Sequence, residues 1–155
     1  IAYLESMGMR DVDKDLPMEE NTIFRIASQT KALISVGIMM LQEEGKLVLS
    51  DTLAKYIPEF NESSVAEATY YGYDVVPAER KITLRDLLTH TAGIDYGYGT
   101  AEDEWEAADI QGWYFAHRDE AVLETIKRMA SLPNQAHAGD GYVYGYIFLR
   151  IHRIL

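Results

Sequence analysis

The sequence predicts an α+β fold in which helix outweighs strand. Three observations predict it: an apolar run at 28–44 closed by Gly45, an amphipathic period at 119–131 stopped before Pro133, and an opening segment at 1–10 with the weak alternation of a strand. No internal repeat or low-complexity tract interrupts them.

Composition sets the frame. The chain has 155 residues, 48% hydrophobic and 25% charged, which is ordinary for one folded domain with a real core. A formal net charge of −11 repels phosphate backbones and argues against nucleic acid as a partner. With no cysteine there is neither a disulfide framework nor a thiol nucleophile. The apolar run 32–41 is far too short to span a bilayer, and the opening residues do not read as a secretory leader.

In chain order, Gly8 marks a bulge in the first strand, and Asp13, Asp15 and Pro17 mark turns. Residues 23–26 then run extended into Ser28. The helix expected over 28–44 is apolar almost all round, from Ala32 through Leu41, so it is expected to be central and buried on several sides. Gly45 stops it. A short helix is expected near 53–56, and the polar, tyrosine-rich stretch 61–80 reads as an exposed excursion. Thr83 and Asp86 offer a capped start for a short helix through Leu88, and Gly93 ends the turn at 90–92. The aromatic middle, with Tyr96, Tyr98, Trp105, Trp113, Tyr114 and Phe115, reads as core filling ahead of a substrate wall. The helix at 119–131 turns Ala121, Val122, Ile126, Met129 and Ala130 inward.

Chemistry enters at Ser28-Gln29-Thr30-Lys31, the one Ser-x-x-Lys in the chain. On a helix, residues three apart share a face, so the lysine amine can reach the serine hydroxyl. A serine is a poor nucleophile until a neighbour takes its proton. Burial in an apolar helix and the positive end of the helix dipole both favour the neutral amine that this needs. Taken alone, such a pair is more often an N-cap serine with a solvated lysine. Four histidines, 90, 117, 137 and 152, show no metal-ligand spacing, and there is no Gly-x-Ser-x-Gly elbow, phosphate loop or dinucleotide fingerprint. No cofactor is expected.

The surroundings of the serine carry more. Phe24 through Lys31, the apolar helix ending Glu43-Glu44-Gly45-Lys46-Leu47, and Tyr56-Ile57-Pro58-Glu59-Phe60 resemble the class C beta-lactamase and family VIII esterase group of serine hydrolases, also called penicillin-binding-protein-like. Ile82 through Ile94, with Leu87-Leu88-Thr89-His90-Thr91-Ala92-Gly93, is similar to a second signature stretch of that group. Gly139-Asp140-Gly141-Tyr142-Val143-Tyr144-Gly145-Tyr146 resembles the stretch with its catalytic tyrosine.

The resemblance implies a beta-lactamase/transpeptidase-like fold, helix-dominated, with one or two N-terminal antiparallel strands. It implies Ser28 as nucleophile, Lys31 as base and Tyr144 as proton relay, acting on an ester, beta-lactam or peptide through an acyl-enzyme. Tyr146 stands where beta-lactamases usually have asparagine, which favours an esterase-like or peptidase-like relative. A periplasmic or secreted location is implied as well.

The resemblance covers residues 1–146, read as the N-terminal part of such a domain, and 147–155 read as a divergent, basic tail with one apolar helical face. The strand that gives the family its second oxyanion donor has no counterpart here, so the chain is expected to be a fragment with crippled activity. A partner chain or a second copy is expected to cover an exposed sheet edge and the apolar face of the Ser28 helix. The alternatives are a non-catalytic penicillin sensor or scaffold of the same fold, and a truncated product without function.

Overall fold

The computed structural model describes residues 2–112 and 119–146; the expectations for Trp113, Tyr114, Phe115 and the tail 147–155 fall outside them. The chain divides into two compact units, Ile1–Thr30 and Lys31–Leu155.

The first unit holds one antiparallel hairpin, β1 (Met9–Asp11) paired with β2 (Leu16–Pro17), with Asp15 at φ 51° in the connection. The strand expected at 1–10 is therefore shorter and later. Beyond it, two i→i−3 backbone bonds, Gln29 N–H to Ile26 O at 2.9 Å and Thr30 N–H to Ala27 O at 3.1 Å, wind the chain into a turn around Ser28. Helix α1 (Gln29–Glu43) starts from that turn.

The second unit holds the core. Ile38, Leu53, Ile57, Leu84, Leu87, Ile94, Trp105, Ile110, Ile126 and Met129 are all but fully buried in it. A 3₁₀ turn (Leu53–Lys55) and another (Pro58–Glu62) follow α1, and then the hairpin β3 (Ser64–Thr69) and β4 (Gly72–Pro77) in continuous antiparallel register. Helix α2 (Leu84–Leu88) opens with the expected capping box, Thr83 accepting from the Asp86 backbone while the Asp86 carboxylate accepts from Thr83 N–H. Helices α3 (Glu102–Ala107) and α4 (Val122–Met129) complete the described elements: four helices and two small antiparallel sheets, an α+β arrangement rich in helix. No described helix is long and apolar enough to cross a membrane.

Two expectations change. Helix α1 buries a single residue, Ile38, while Leu33, Val36 and Met40 are more than half exposed. An apolar composition predicts burial only where other elements surround the helix, and within this unit they pack on one side of α1 alone. The stretch 61–80, expected as an excursion, contains the β3–β4 hairpin. Its outer residues are exposed on both faces, including Tyr70 and Tyr71 at the tip, so apolar alternation had little to mark.

Two backbone ladders bring distant parts of the second unit together. Residues 49–53 pair with 82–85, through Leu53 N–H to Ile82 O at 2.8 Å and Leu84 N–H to Asp51 O at 3.0 Å. The turn after α2 pairs with 135–146: Gln135 N–H to Gly93 O at 2.8 Å, Gly139 N–H to Thr91 O at 2.8 Å and Val143 N–H to His90 O at 2.8 Å. Gly93 makes this approach possible, since a β-carbon there would lie 1.9 Å from the Ala136 carbonyl oxygen.

Candidate active site

The second ladder carries Tyr144 to the first turn of α1. The Lys31 ammonium lies 4.6 Å from the centre of the Tyr144 ring, close enough for a cation–π attraction. It also donates a hydrogen bond to the Tyr96 hydroxyl at 3.2 Å. Lys31 and Tyr144, at opposite ends of the second unit's sequence, are thus brought together. Ser28 belongs to the first unit, exposed and immediately ahead of α1. The residue before it, Ala27, has φ 44°, an uncommon value for a residue with a β-carbon.

Aromatic rings build the wall. Tyr96 meets Tyr144 edge-on at 5.9 Å and Tyr146 edge-on at 4.7 Å, and Tyr146 in turn stacks toward buried Trp105 at 6.4 Å. Tyr146 is buried, and its hydroxyl donates to the Gly112 carbonyl at 2.6 Å. Burial, helped by the nearby Tyr98 and Tyr96, raises its hydroxyl well above the ordinary tyrosine range, so it stays a neutral anchor. Where an asparagine would offer an amide, this chain has a ring facing the core.

His90 is the other close neighbour of Tyr144, stacked at 4.7 Å with the rings 24° from parallel. Burial first, and then the Lys31 charge, lower its pKa below the usual histidine range. It therefore stays uncharged near neutrality.

A partly buried ion pair holds the frame behind these groups. Arg80 grips Asp86 with two hydrogen bonds, at 2.7 and 2.9 Å, and Asp86 also accepts from the Thr83 hydroxyl at 2.7 Å. Desolvation acts to raise the Asp86 pKa, but the Arg80 and Thr83 bonds outweigh it and hold the carboxyl at about 2. Of the other histidines, His137 accepts from Glu79 N–H at 3.2 Å and faces Glu67 at 3.0 Å, a structural bridge. Among the described residues no cluster of histidine and carboxylate groups could hold a metal ion.

Sequence reasoning misses Tyr96 and His90 as neighbours of Lys31 and Tyr144. Tyr96 reads as core filling, because a half-buried ring on the wall of a site has the same composition as one in a core. His90 lies inside a recognised motif, but its contact with Tyr144 comes from a pairing distant in sequence.

Known proteins resemble this chain over most of its length. A model of the family described as Beta-lactamase matches residues 1–147. Protein Rv1367c of Mycobacterium tuberculosis is 39% identical over 147 residues, covering 94% of this chain and 35% of that protein. Esterase EstB of Burkholderia gladioli is 30% identical over 148 residues, covering 93% of this chain and 34% of its own length. The solved structure of EstCE1, a hydrolase with promiscuous acyltransferase activity, superposes with a TM-score of 0.73 at 24% identity, over 95% of this chain and 36% of that one. The chain thus spans about a third of the length of the relatives it matches.

Proposed function

Because the chain belongs to the beta-lactamase family, we propose that it carries out serine acyl transfer on carboxylic esters, with Ser28 as nucleophile, Lys31 as base and Tyr144 as proton relay. The observation that carries this is the seating of the Lys31 ammonium 4.6 Å from the Tyr144 ring and 3.2 Å from the Tyr96 hydroxyl, in a wall of aromatics suited to an apolar acyl group. In the neutral amine form that a base requires, Lys31 takes the Ser28 hydroxyl proton and becomes the ammonium as the serine oxygen bonds to the ester carbon. The carbon–oxygen bond to the leaving alcohol then breaks, and the alcohol takes a proton from Lys31 through the Tyr144 hydroxyl. Water attacks the acyl-serine, the acid departs, and the proton returns to Ser28.

Esters are favoured over beta-lactams on two grounds. The asparagine position is filled by a buried tyrosine with its hydroxyl committed to Gly112, and a relative at 30% identity is named an esterase. The sensor alternative differs only in whether the acyl-serine turns over.

The test is labelling of the purified chain by a fluorophosphonate and by a fluorescent penicillin, alongside hydrolysis of p-nitrophenyl butyrate. Fluorophosphonate labelling that Ser28→Ala abolishes is expected, with ester turnover below the ordinary enzyme range of about 1 to 1000 per second. A stable penicillin adduct without ester turnover would favour the sensor. No labelling at Ser28 by either probe would refute acyl transfer by this chain.

A further inference from the structure

Helix α2 ends on a residue that its backbone does not prefer. Two hydrogen bonds close it, His90 N–H to Leu87 O at 3.3 Å and Thr91 N–H to Asp86 O at 2.8 Å, the pair that defines a Schellman turn. That closure needs the residue past the cap in the left-handed region, and His90 stands there at φ 59°. Helix α1 closes the same way, Gly45 N–H to Gln42 O and Lys46 N–H to Leu41 O, and it uses glycine at φ 69°. A β-carbon in this region crowds the following carbonyl, so glycine is the less strained choice for the turn alone.

The imidazole accounts for the exception. It stacks on Tyr144 at 4.7 Å and meets Tyr142 at 5.4 Å, and the His90 carbonyl accepts from Val143 N–H at 2.8 Å. Ring and backbone thus grip one segment, 142–144, from both sides of Val143. The Lys31 ammonium reaches the same Tyr144 ring from α1. A charged imidazole there would repel it, whereas a neutral one leaves the tyrosine ring to the lysine.

We propose that His90 is a positioning residue whose flat ring seats Tyr144 against the Lys31 ammonium, and that the strained backbone at this position is kept for that purpose. This rests on the reading of Ser28, Lys31 and Tyr144 as the reacting groups. Strain retained next to a site, where a relaxed residue would fold as well, is the mark of a side chain held for function.

The experiment uses the whole chain with His90→Gly and His90→Phe, and Tyr144→Phe for assignment. Two quantities are read: the rate at which a fluorophosphonate labels Ser28, and the Cζ resonance of Tyr144 in protein carrying 13C-tyrosine. His90→Gly relaxes the turn, so it is expected to keep or raise the melting midpoint. It is also expected to move the Tyr144 resonance and to slow labelling by about tenfold or more. His90→Phe puts a flat ring back on strained backbone, so it is expected to melt below His90→Gly yet keep the Tyr144 resonance and label within about threefold of the parent. A purely structural role does not give that crossed pattern. Parental labelling or an unmoved Tyr144 resonance in His90→Gly overturns the proposal, as does failure of His90→Gly to fold or a His90→Phe chain that labels as slowly as the glycine variant. Should His90→Phe be too strained to fold, His90→Gly against the parent decides. If the parent itself does not label, the assignment of the reacting groups fails, and the Tyr144 resonance alone decides the role of His90.

Discussion

Asp86 is the residue on which the frame of the site depends most, because it both caps α2 and receives both arms of Arg80. Its carboxyl is held at about 2, below the ordinary 3.8. A depressed carboxylate pKa adds stability that is present above the unfolded value and lost as pH falls through the folded one. The margin of the parent over Asp86→Asn is therefore expected to be full above about pH 4, and to shrink between about 4 and 2. Its size is about 2 kcal/mol at most, since Arg80 is partly exposed and the pair is screened. Melting curves of both proteins across that range check it, and a margin independent of pH would mean that the cap, not the charge, matters. The identity of Asp86 as a cap was legible from Thr-x-x-Asp spacing alone. Its partner was not, because an arginine six residues away finds a carboxylate only after the chain between them has turned.

At the scale of elements, start and stop signals read well. Thr83 opens α2 and Gly45 closes α1 as their residue types require, and the helix expected at 119–131 stands at Val122–Met129. Burial read less well. The apolar composition of α1 suggests that Met40 or Leu41 would be as critical as any core residue, yet Met40 is 55% exposed and Ile38 is fully enclosed. Ile38→Ala is expected to lose about 2–5 kcal/mol and Met40→Ala under about 1 kcal/mol. Chemical denaturation separates the two, and equal losses would mean that α1 is enclosed in solution. The β3–β4 hairpin escapes notice for a related reason: with most of its residues exposed, it lacks the alternation that marks a half-buried sheet.

For the whole molecule, the same α1 face sets the surface character. Leu33, Val36 and Met40 recur at i, i+3 and i+7 and present one apolar stripe on a strongly acidic protein. The dye ANS is expected to fluoresce on the folded chain, and Val36→Lys is expected to cut that signal while leaving the melting midpoint within a few degrees. Unchanged fluorescence would place the dye elsewhere. Ser28, Lys31 and Tyr144 are singled out in the sequence by short motifs that stand in order along the chain. Their mutual geometry was not, since Lys31 meets Tyr144 only through folded backbone.

The ladder that joins the turn after α2 to residues 135–146 has a consequence in time. Its hydrogen bonds, Val143 to His90 and Gly139 to Thr91 among them, close a long loop that contains α3 and α4. Loop closure costs conformational entropy before any contact repays it, and contacts distant in sequence form late. Helix α2 and its cap are local and need no such closure. During folding, then, His90 waits in its strained turn while the segment with Tyr144 arrives, and Lys31 acquires the Tyr144 ring only when the loop has shut. A nascent chain would hold Lys31 and Tyr144 in covalent order and still keep them apart until that closure.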